Sequence, residues 1–364
     1  MTMSKHGIRG AVAALAGGLL VLAGCGGDSP RGAAEGDAAA TAGAGADAGV
    51  VNVYSHRHYE ADQELFRRFT EQTGIRVNVV TASADELIAR LEAEGAASPA
   101  DVLITVDAGR LHRAKERGLL QPIDSEILRA NVPANLRDPE GYWYGLTRRA
   151  RVIVYAKDRV RPEEIPTYAS LADEKWKGRV LVRSSDNVYN QSLLASIIAH
   201  HGEDAARAWA AAVARNMARP PSGADTEQAK AVAAGVGDVA IVNTYYVARL
   251  IASSNPEDRR VGEQLGVVFP DQDGVGTHVN VSGAGVTVGA PNRANAIRLI
   301  EFLSSEEAQR IFAEANHEYP VKPGVPASAV LQGWGEFKAD TLNLAVLGEL
   351  NRRAVQIFDE AGWK

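Results

Sequence analysis

The sequence predicts an α/β protein with two lobes. Short apolar runs alternate with longer amphipathic runs over residues 50–106, and the same alternation returns over residues 178–244. A short apolar run is typical of a buried strand, and an amphipathic run is typical of a helix. Because a strand–helix–strand pattern favours a mainly parallel sheet with helices on both faces, each set predicts one α/β lobe. The length of 364 residues is sufficient for two such lobes.

The chain begins with a segment that resembles a lipoprotein signal peptide. Positive charges precede an apolar stretch at residues 11–23, which is shorter than the roughly 20 residues that a membrane-spanning helix needs. The tetrapeptide Leu-Ala-Gly-Cys follows at residues 22–25 and resembles a bacterial lipobox. Residues 1–25 are therefore predicted to be a signal peptide, with Cys25 as the lipidated first residue of the mature protein.

Export and a lipid anchor would place the protein in the periplasm or on the cell surface. Cys25 is the only cysteine, so we expect no disulfide within the fold. Residues 26–49 are rich in glycine, alanine and aspartate and are predicted to be a flexible linker. The net charge is −6 and no basic stripe is present, which argues against nucleic acid and against membrane contact beyond the anchor.

The first lobe is predicted to begin with three strands and two helices. These are a strand at 50–54, a helix at 59–74, a strand at 75–80, a helix from 83 to 95 and a strand at 100–106. The first helix has one apolar face, formed by Ala61, Leu65, Phe66 and Phe69. Gly74 is expected to end this helix. Ser83 and Glu86 have the spacing of a capping box at the start of the second.

The second lobe is predicted from a strand at 178–183, helices at about 190–201 and 205–216, and a strand at 239–244. Residues 147–160 are a plausible crossover between the lobes, and residues 271–286 a plausible return. Lobe one would then comprise residues 50–149 and 277–325, and lobe two residues 150–276 and 326–364. Two sequential domains are the alternative organisation.

Tyrosines follow several of the predicted strands. In an open parallel sheet, ligands gather at the carboxyl ends of the strands. SHRHY follows the first strand, RSSDNVYNQS follows the apolar run 180–182, and NTYYVAR follows the apolar run 239–242. Four of the ten tyrosines lie in these junctions, namely Tyr59, Tyr189, Tyr245 and Tyr246. A single tyrosine is usually a packing residue with its hydroxyl at the surface, so the prediction of a site depends on the set.

Convergent phenols suit a hard, highly charged cation. Because the pKa of tyrosine is about 10, only a strong Lewis acid would hold several phenols as phenolates near neutral pH. Three phenolates would neutralise Fe(III), and an imidazole would add a nitrogen donor. Zinc fits less well, because the grouping of His and Cys ligands of a structural zinc site is missing. Fe(II) beside protonated phenols is the alternative oxidation state.

Three residues beside these tyrosines have open roles. His56 and His58 form an H-x-H motif, of which His58 is the better metal ligand because it adjoins Tyr59. Arg249 follows the tyrosine pair by three residues. It either offsets the charge of the phenolates or a bound anion, or is a solvated side chain on a helix surface.

The motifs of common enzymes are not found. Ser185-Asp186-Asn187 is similar to one motif of penicillin-interacting enzymes, but the S-x-x-K and K-T-G motifs do not accompany it. It is better interpreted as a helix-entry turn beside Tyr189. No G-x-S-x-G, H-E-x-x-H or P-loop motif is present. The sequence therefore predicts a binding protein and not an enzyme.

Several long stretches resemble the periplasmic ferric-iron-binding proteins of ABC importers, in particular the cyanobacterial Fut-type branch of the bacterial transferrins. The stretches are NVYSHRHYEAD, TGIRVNV, SPADVLITVDAGRL, TRRARVIVY, KWKGRVLVRSSDNVYNQSL, GVGDVAIVNTYYVARL and GTHVNVSGAGV. They run through almost all of the predicted mature chain. The resemblance implies a two-lobed solute-binding fold of the type II-like class, which closes around iron in an interlobe cleft.

The resemblance also implies the ligands. The histidine–tyrosine pair of the family falls on His58 and Tyr59, its single second-lobe tyrosine on Tyr189, and its tyrosine pair on Tyr245 and Tyr246. Arg249 matches an arginine that some members place after the pair. His56 stands where a small residue is common.

The other branch of the family uses a glutamate ligand with a bound anion. No matching glutamate is found, so we expect a site without an obligatory anion. The partner implied is an ABC transporter permease in the inner membrane, and we expect a monomer. The alternative function is a receptor for another solute on the same fold, such as a polyamine, a phosphonate or an oxyanion.

Overall fold

The computed structural model describes residues 49–57 and 59–364. The predicted signal peptide with Cys25, the predicted linker up to residue 48, and His58 lie outside the described residues. In the part that is described, no helix is both long and apolar enough to cross a membrane.

The strands, in chain order, are β1 Val50–Ser55, β2 Arg76–Thr81, β3 Val102–Val106, β4 Leu120–Gln121, β5 Tyr144–Ala156, β6 Val180–Leu181, β7 Val239–Asn243, β8 Leu265–Val268, β9 Val279–Thr287 and β10 Tyr319–Pro320. The first helices are α1 Glu60–Thr73, α2 Ala84–Glu94, α3 Ala108–Glu116, α4 Glu126–Asn131, α5 Val188–His201, α6 Glu203–Asn216 and α7 Asp225–Ala233. The remaining helices are α8 Thr244–Ala252, α9 Pro256–Gln264, α10 Arg293–Leu303, α11 Glu306–Asn316, α12 Ala329–Gln332, α13 Ala345–Glu349 and α14 Asn351–Ala361.

The strands form one mixed sheet with the order β2-β1-β3-β9-β5-β7-β6. β1 pairs in parallel with β2 and β3, and β6 pairs in parallel with β7. β9 is antiparallel to both β3 and β5, and β5 is antiparallel to β7 and β8. The prediction of a mainly parallel sheet is therefore wrong. The predicted crossover at 147–160 contains most of β5, and the predicted return at 271–286 contains most of β9. Both are long strands of the sheet, and local sequence patterns do not reveal the direction of such strands.

β5 belongs to two halves of the sheet. Its residues up to Ala150 pair with β9, where Ala150 faces Val279. Its residues from Arg151 onward pair with β7, where Arg151 faces Asn243. The predicted crossover at 147–160 thus contains the point at which the chain passes from one half of the sheet to the other. The lobe boundaries given above stay a prediction.

The first helix shows how the local sequence positions the site. α1 ends at Gly74, whose left-handed φ of 72° lets its amide donate to Thr70. Leu65 and Phe69 are fully buried, as predicted, whereas Phe66 is half-buried. Asp62 takes the fourth buried position of this face, because it forms an ion pair with a buried arginine described below. α2 begins with the predicted capping box of Ser83 and Glu86.

Candidate metal centre

Four tyrosines from three strand-to-helix junctions lie together in the structure. Tyr59 follows β1 and is the residue that precedes the first turn of α1. Tyr189 lies in the first turn of α5, where its backbone amide donates to Asn187 Oδ1 at 3.1 Å. Tyr245 and Tyr246 lie in the first turn of α8, directly after β7. The turn around Asn187 is thus a helix cap, as its sequence predicts.

The phenols approach each other closely. The hydroxyl oxygens of Tyr189 and Tyr245 are 3.2 Å apart. The rings of Tyr245 and Tyr246 are neighbours, with centroids 4.2 Å apart and planes inclined by 32°. The guanidinium carbon of Arg249 lies 4.6 Å from the centroid of the Tyr59 ring and 5.1 Å from that of Tyr245. Tyr245 and Tyr246 can therefore both contribute to one site, because they lie in the first turn of α8.

The phenols are held in their neutral form by their surroundings. Burial raises the pKa of Tyr189 above its ordinary value, and Tyr246 raises it further. Burial likewise raises the pKa of Tyr245, with added contributions from Tyr189 and Tyr246. The pKa of Tyr59 is raised by burial and by Glu318. Each phenol disfavours the ionisation of its neighbours, so several of them can ionise together only with a cation among them.

Arginines surround the Tyr189 ring. The guanidinium carbons of Arg149, Arg151 and Arg183 lie 5.7, 5.6 and 5.5 Å from its centroid. Arg151 is compensated by Asp225, whose Oδ2 is 2.5 Å from its Nη1. Arg149 donates to the hydroxyl of a neighbouring strand residue, while its Nε and Nη2 find no hydrogen-bond partner among the described residues. This positive charge favours phenolate over phenol and partly offsets the effect of burial.

The guanidinium of Arg57 lies against the ring of Tyr59. Its guanidinium carbon lies 4.9 Å from the centroid of the Tyr59 ring. Its Nε is 3.0 Å from Asp62 Oδ1, and its Nη2 is 3.0 Å from Glu318 Oε2. Arg57, Asp62 and Glu318 are all buried. Glu318 also accepts a hydrogen bond from the Thr147 hydroxyl at 2.8 Å, so the network ties the start of α1 to β5.

This group of arginines and Glu318 was not predicted from the sequence. A signal was present, because Arg148, Arg149 and Arg151 interrupt an otherwise apolar strand. Arginine is rarely buried unless it is paired, so charged residues within a predicted core strand indicate a nearby site of opposite charge. Glu318 gave no local signal, since it lies 261 residues from Arg57 along the chain.

The predicted histidines have different outcomes. His58 lies outside the described residues, so its role as a ligand stays a prediction. His56 is half-buried at the end of β1, where its backbone amide donates to the Ile104 carbonyl at 2.9 Å. Within residues 49–57 and 59–364, no group of three or more His, Cys, Asp or Glu side chains could hold a metal ion.

A cavity of about 360 Å³ opens beside Tyr59. Tyr59, Arg249 and His317 contribute to its lining. Tyr59 and Tyr246 are half-buried, whereas Tyr189 and Tyr245 are buried. Tyr189 and Tyr245 thus form the deep side of the cluster, next to the arginines, and Tyr59 and Tyr246 form its more exposed side. Phenols arranged in this way are suited to bind one highly charged cation as phenolates.

Comparison with known proteins places this chain among solute-binding proteins. Residues 97–333 match the family model described as bacterial extracellular solute-binding protein. The chain is 54% identical to iron uptake protein A1 of Synechocystis over 86% of this chain and 87% of that protein. It is 50% identical to iron uptake protein A2 of the same organism over 88% of this chain and 92% of that protein.

Solved structures agree with the sequence comparison. The structure of Trichodesmium FutA (IdiA) in complex with iron and citrate superposes with a TM-score of 0.84 at 54% identity, covering 86% of this chain and 100% of that chain. The predicted fold class, a two-lobed α/β solute-binding fold, is confirmed by this likeness. The chain therefore belongs to the bacterial extracellular solute-binding protein family, in the branch that contains the two iron uptake proteins of Synechocystis.

Proposed function

We propose that this protein is an extracytoplasmic receptor that captures ferric iron and delivers it to an ABC transporter permease. In this proposal the phenolates of Tyr59, Tyr189, Tyr245 and Tyr246 bind the metal in the cleft between the lobes. The iron is transported cargo and not a catalytic cofactor, and the protein catalyses no reaction.

One observation carries the proposal. Phenols from the start of α1, from α5 and from α8 share one cluster, with the buried Tyr189 and Tyr245 oxygens 3.2 Å apart. Two neutral phenols at this distance share one hydrogen bond. That hydrogen bond does not explain why two more tyrosines lie beside them. A trivalent cation gives such a reason, because it compensates several phenolates at once. The names of the similar proteins, which are iron uptake proteins and an iron complex, support the same cargo.

We propose two further roles around the metal. His58 supplies an imidazole nitrogen beside Tyr59. Arg249 acts as a charge partner of the phenolates, since its guanidinium lies over the rings of both Tyr59 and Tyr245. Fe(III) is the favoured state, because three phenolates neutralise its charge, and Fe(II) beside protonated phenols is the alternative.

The location and partners follow from the N-terminal sequence and the family. We propose a monomer in the periplasm or at the cell surface, attached through a lipid on Cys25 and docking on a permease in the inner membrane. Expression of the full chain and of Cys25→Ser in a bacterial host with a labelled fatty acid tests the anchor. Label is expected in the wild type only. Equal labelling of the variant would exclude Cys25 as the attachment site.

The iron proposal is tested by colour. Addition of ferric citrate to the iron-free protein is expected to produce a visible tyrosinate-to-iron charge-transfer band. Tyr245→Phe and Tyr246→Phe should diminish the band, because each removes one phenolate. Tyr142→Phe is the matched control, since Tyr142 packs beside Lys115 and away from the cluster.

A protein that stays colourless, with an unchanged melting temperature, would contradict the ferric proposal. A rise in melting temperature with spermidine or a phosphonate, but not with ferric citrate, would instead support the alternative of another solute. A band of equal strength in Tyr142→Phe and the wild type, with weaker bands in the two cluster variants, is the result that the proposal requires.

A further inference from the structure

A separate cavity lies behind β5, on the face away from the phenols. Successive residues of a strand point to opposite faces of the sheet. Arg149 points to the phenol cluster, where its guanidinium carbon lies 5.7 Å from the Tyr189 ring centroid. Arg148 points the other way, where its guanidinium carbon lies 5.6 Å from the ring centroid of Tyr319 and 5.9 Å from that of Phe337. Arg148 and both rings line a cavity of about 640 Å³.

Part of the wall of this cavity is apolar. Pro133, Leu136, Val321 and Leu331 line it. The ring of Phe337 is held by Phe269, which stacks on it with centroids 4.4 Å apart. The volume falls within the range of about 300 to 1,000 Å³ that is usual for small-molecule sites. The cavity can therefore hold a ligand with an apolar body of several carbon atoms.

Two buried polar groups in the wall have no partner. Arg148 is half-buried, and its buried Nε finds no hydrogen-bond partner among the described residues. The hydroxyl of Tyr319 is buried and likewise finds no acceptor or donor among the described residues. Burial lowers the pKa of Arg148, which reflects the cost of a cation without a counter-charge. Native structures rarely leave such groups unsatisfied, and here both residues line one cavity, so a ligand in that cavity would supply the missing partners.

The charge of the wall restricts the ligand. Lys322 also lines the cavity, but its ammonium already donates to Asn131 Oδ1. Because Asn131 is uncharged, Arg148 and Lys322 both contribute positive charge to the wall, and the exposed carboxylate of Glu336 brings the sum over the described lining residues to +1. This balance suits a ligand with one negative charge. A guanidinium binds a carboxylate through two parallel hydrogen bonds, and a phenol hydroxyl can donate a third.

We propose that this cavity is a binding site for a small organic monocarboxylate with an apolar body. The carboxylate pairs with Arg148 and accepts a hydrogen bond from the Tyr319 hydroxyl. The apolar body packs against Leu136, Leu331 and Phe337. The site shares no residue with the phenol cluster, so its occupancy does not depend on the iron proposal.

Isothermal titration calorimetry of the iron-free full chain with benzoate tests this site. Benzoate is expected to bind saturably at millimolar concentration, while benzyl alcohol, its neutral analogue, binds at least tenfold more weakly. Arg148→Gln should weaken benzoate binding by about tenfold or more, because it removes a charge-assisted hydrogen bond. Tyr319→Phe should weaken it by a few-fold. Arg215→Gln, the same exchange at an exposed position of α6, is the matched control and should leave it unchanged.

Three results would overturn the proposal. They are the absence of saturable benzoate binding in the wild type, equal binding in the wild type and both cavity variants, and tighter binding of inorganic phosphate than of benzoate at the same cavity. Thermal unfolding checks that each variant is folded. If Arg148→Gln does not fold, Tyr319→Phe decides alone, because it keeps the ring and removes only the hydroxyl.

Discussion

Removal of one phenol should change the number of protons released when iron binds. Tyr245 is the most informative position, because it is only 2% exposed and its hydroxyl contacts that of Tyr189. Burial and the neighbouring phenols hold its pKa well above 10.0. In the iron-free protein at pH 7, the phenol is therefore protonated, with a charged fraction below about one in a thousand.

The magnitude follows from the number of phenols. Each phenol that binds Fe(III) as a phenolate must lose about one proton, so a site with all four tyrosines releases about four. The direction of the pH dependence follows from this proton release. Because the proton is present in the free protein and absent in the complex, iron affinity rises with pH. The slope is about one decade per pH unit for each proton released. Tyr245→Phe should lower both the proton count and this slope by about one.

Calorimetry in two buffers with different ionisation enthalpies measures the count. Ferric nitrilotriacetate serves as the iron donor, since the protons taken up by the released chelator are the same for both proteins and cancel in the comparison. Tyr142→Phe is the control and should match the wild type. An equal proton count for Tyr245→Phe and the wild type would show that Tyr245 does not bind iron as a phenolate.

Three further predictions concern the surroundings of the site. Glu318→Gln should lower the free energy of unfolding by about 3 kcal/mol in a denaturant titration, because it breaks a buried ion pair with Arg57. A Glu→Gln exchange in a solvent-exposed ion pair should have little effect, and equal effects of the two exchanges would contradict the prediction. Gly276→Ala should destabilise more than Gly324→Ala, since both have left-handed φ but only at Gly276 would a Cβ lie within 2.8 Å of the backbone of Ala339; the reverse order in thermal unfolding would count against close packing there. Arg249→Gln should weaken ferric iron binding by about tenfold in a chelator competition, because it removes a positive charge beside two phenols; an unchanged affinity would indicate a solvated side chain.

The elements that could be predicted from the sequence are those with local signals. The helix beginning at Ser83 was found through its capping box, and the end of α1 through Gly74. The tyrosine junctions could be predicted because each follows an apolar strand. Their meeting in space was inferred from the rule that ligands gather at the carboxyl ends of strands, and the structure brings the four side chains together.

The features that could not be predicted depend on partners distant in sequence. The antiparallel directions of β5 and β9 arise from pairing between segments more than 100 residues apart, and no local pattern encodes that direction. The network of Arg57 and Glu318 joins two residues that lie 261 positions apart in the chain. Buried arginines in β5 could have been recognised as a signal, but their partners could not, because an ion pair depends on the folded arrangement.

We propose that four phenols hold one iron, and anomalous diffraction can locate that iron in the protein. Crystals of the iron-loaded protein, measured above and below the iron absorption edge, locate the metal independently of any ligand assignment. A single strong anomalous peak is expected within coordination distance of the Tyr59, Tyr189, Tyr245 and Tyr246 oxygens. A peak bound by other side chains, or no peak at the phenol cluster of a protein shown to contain iron, would contradict it.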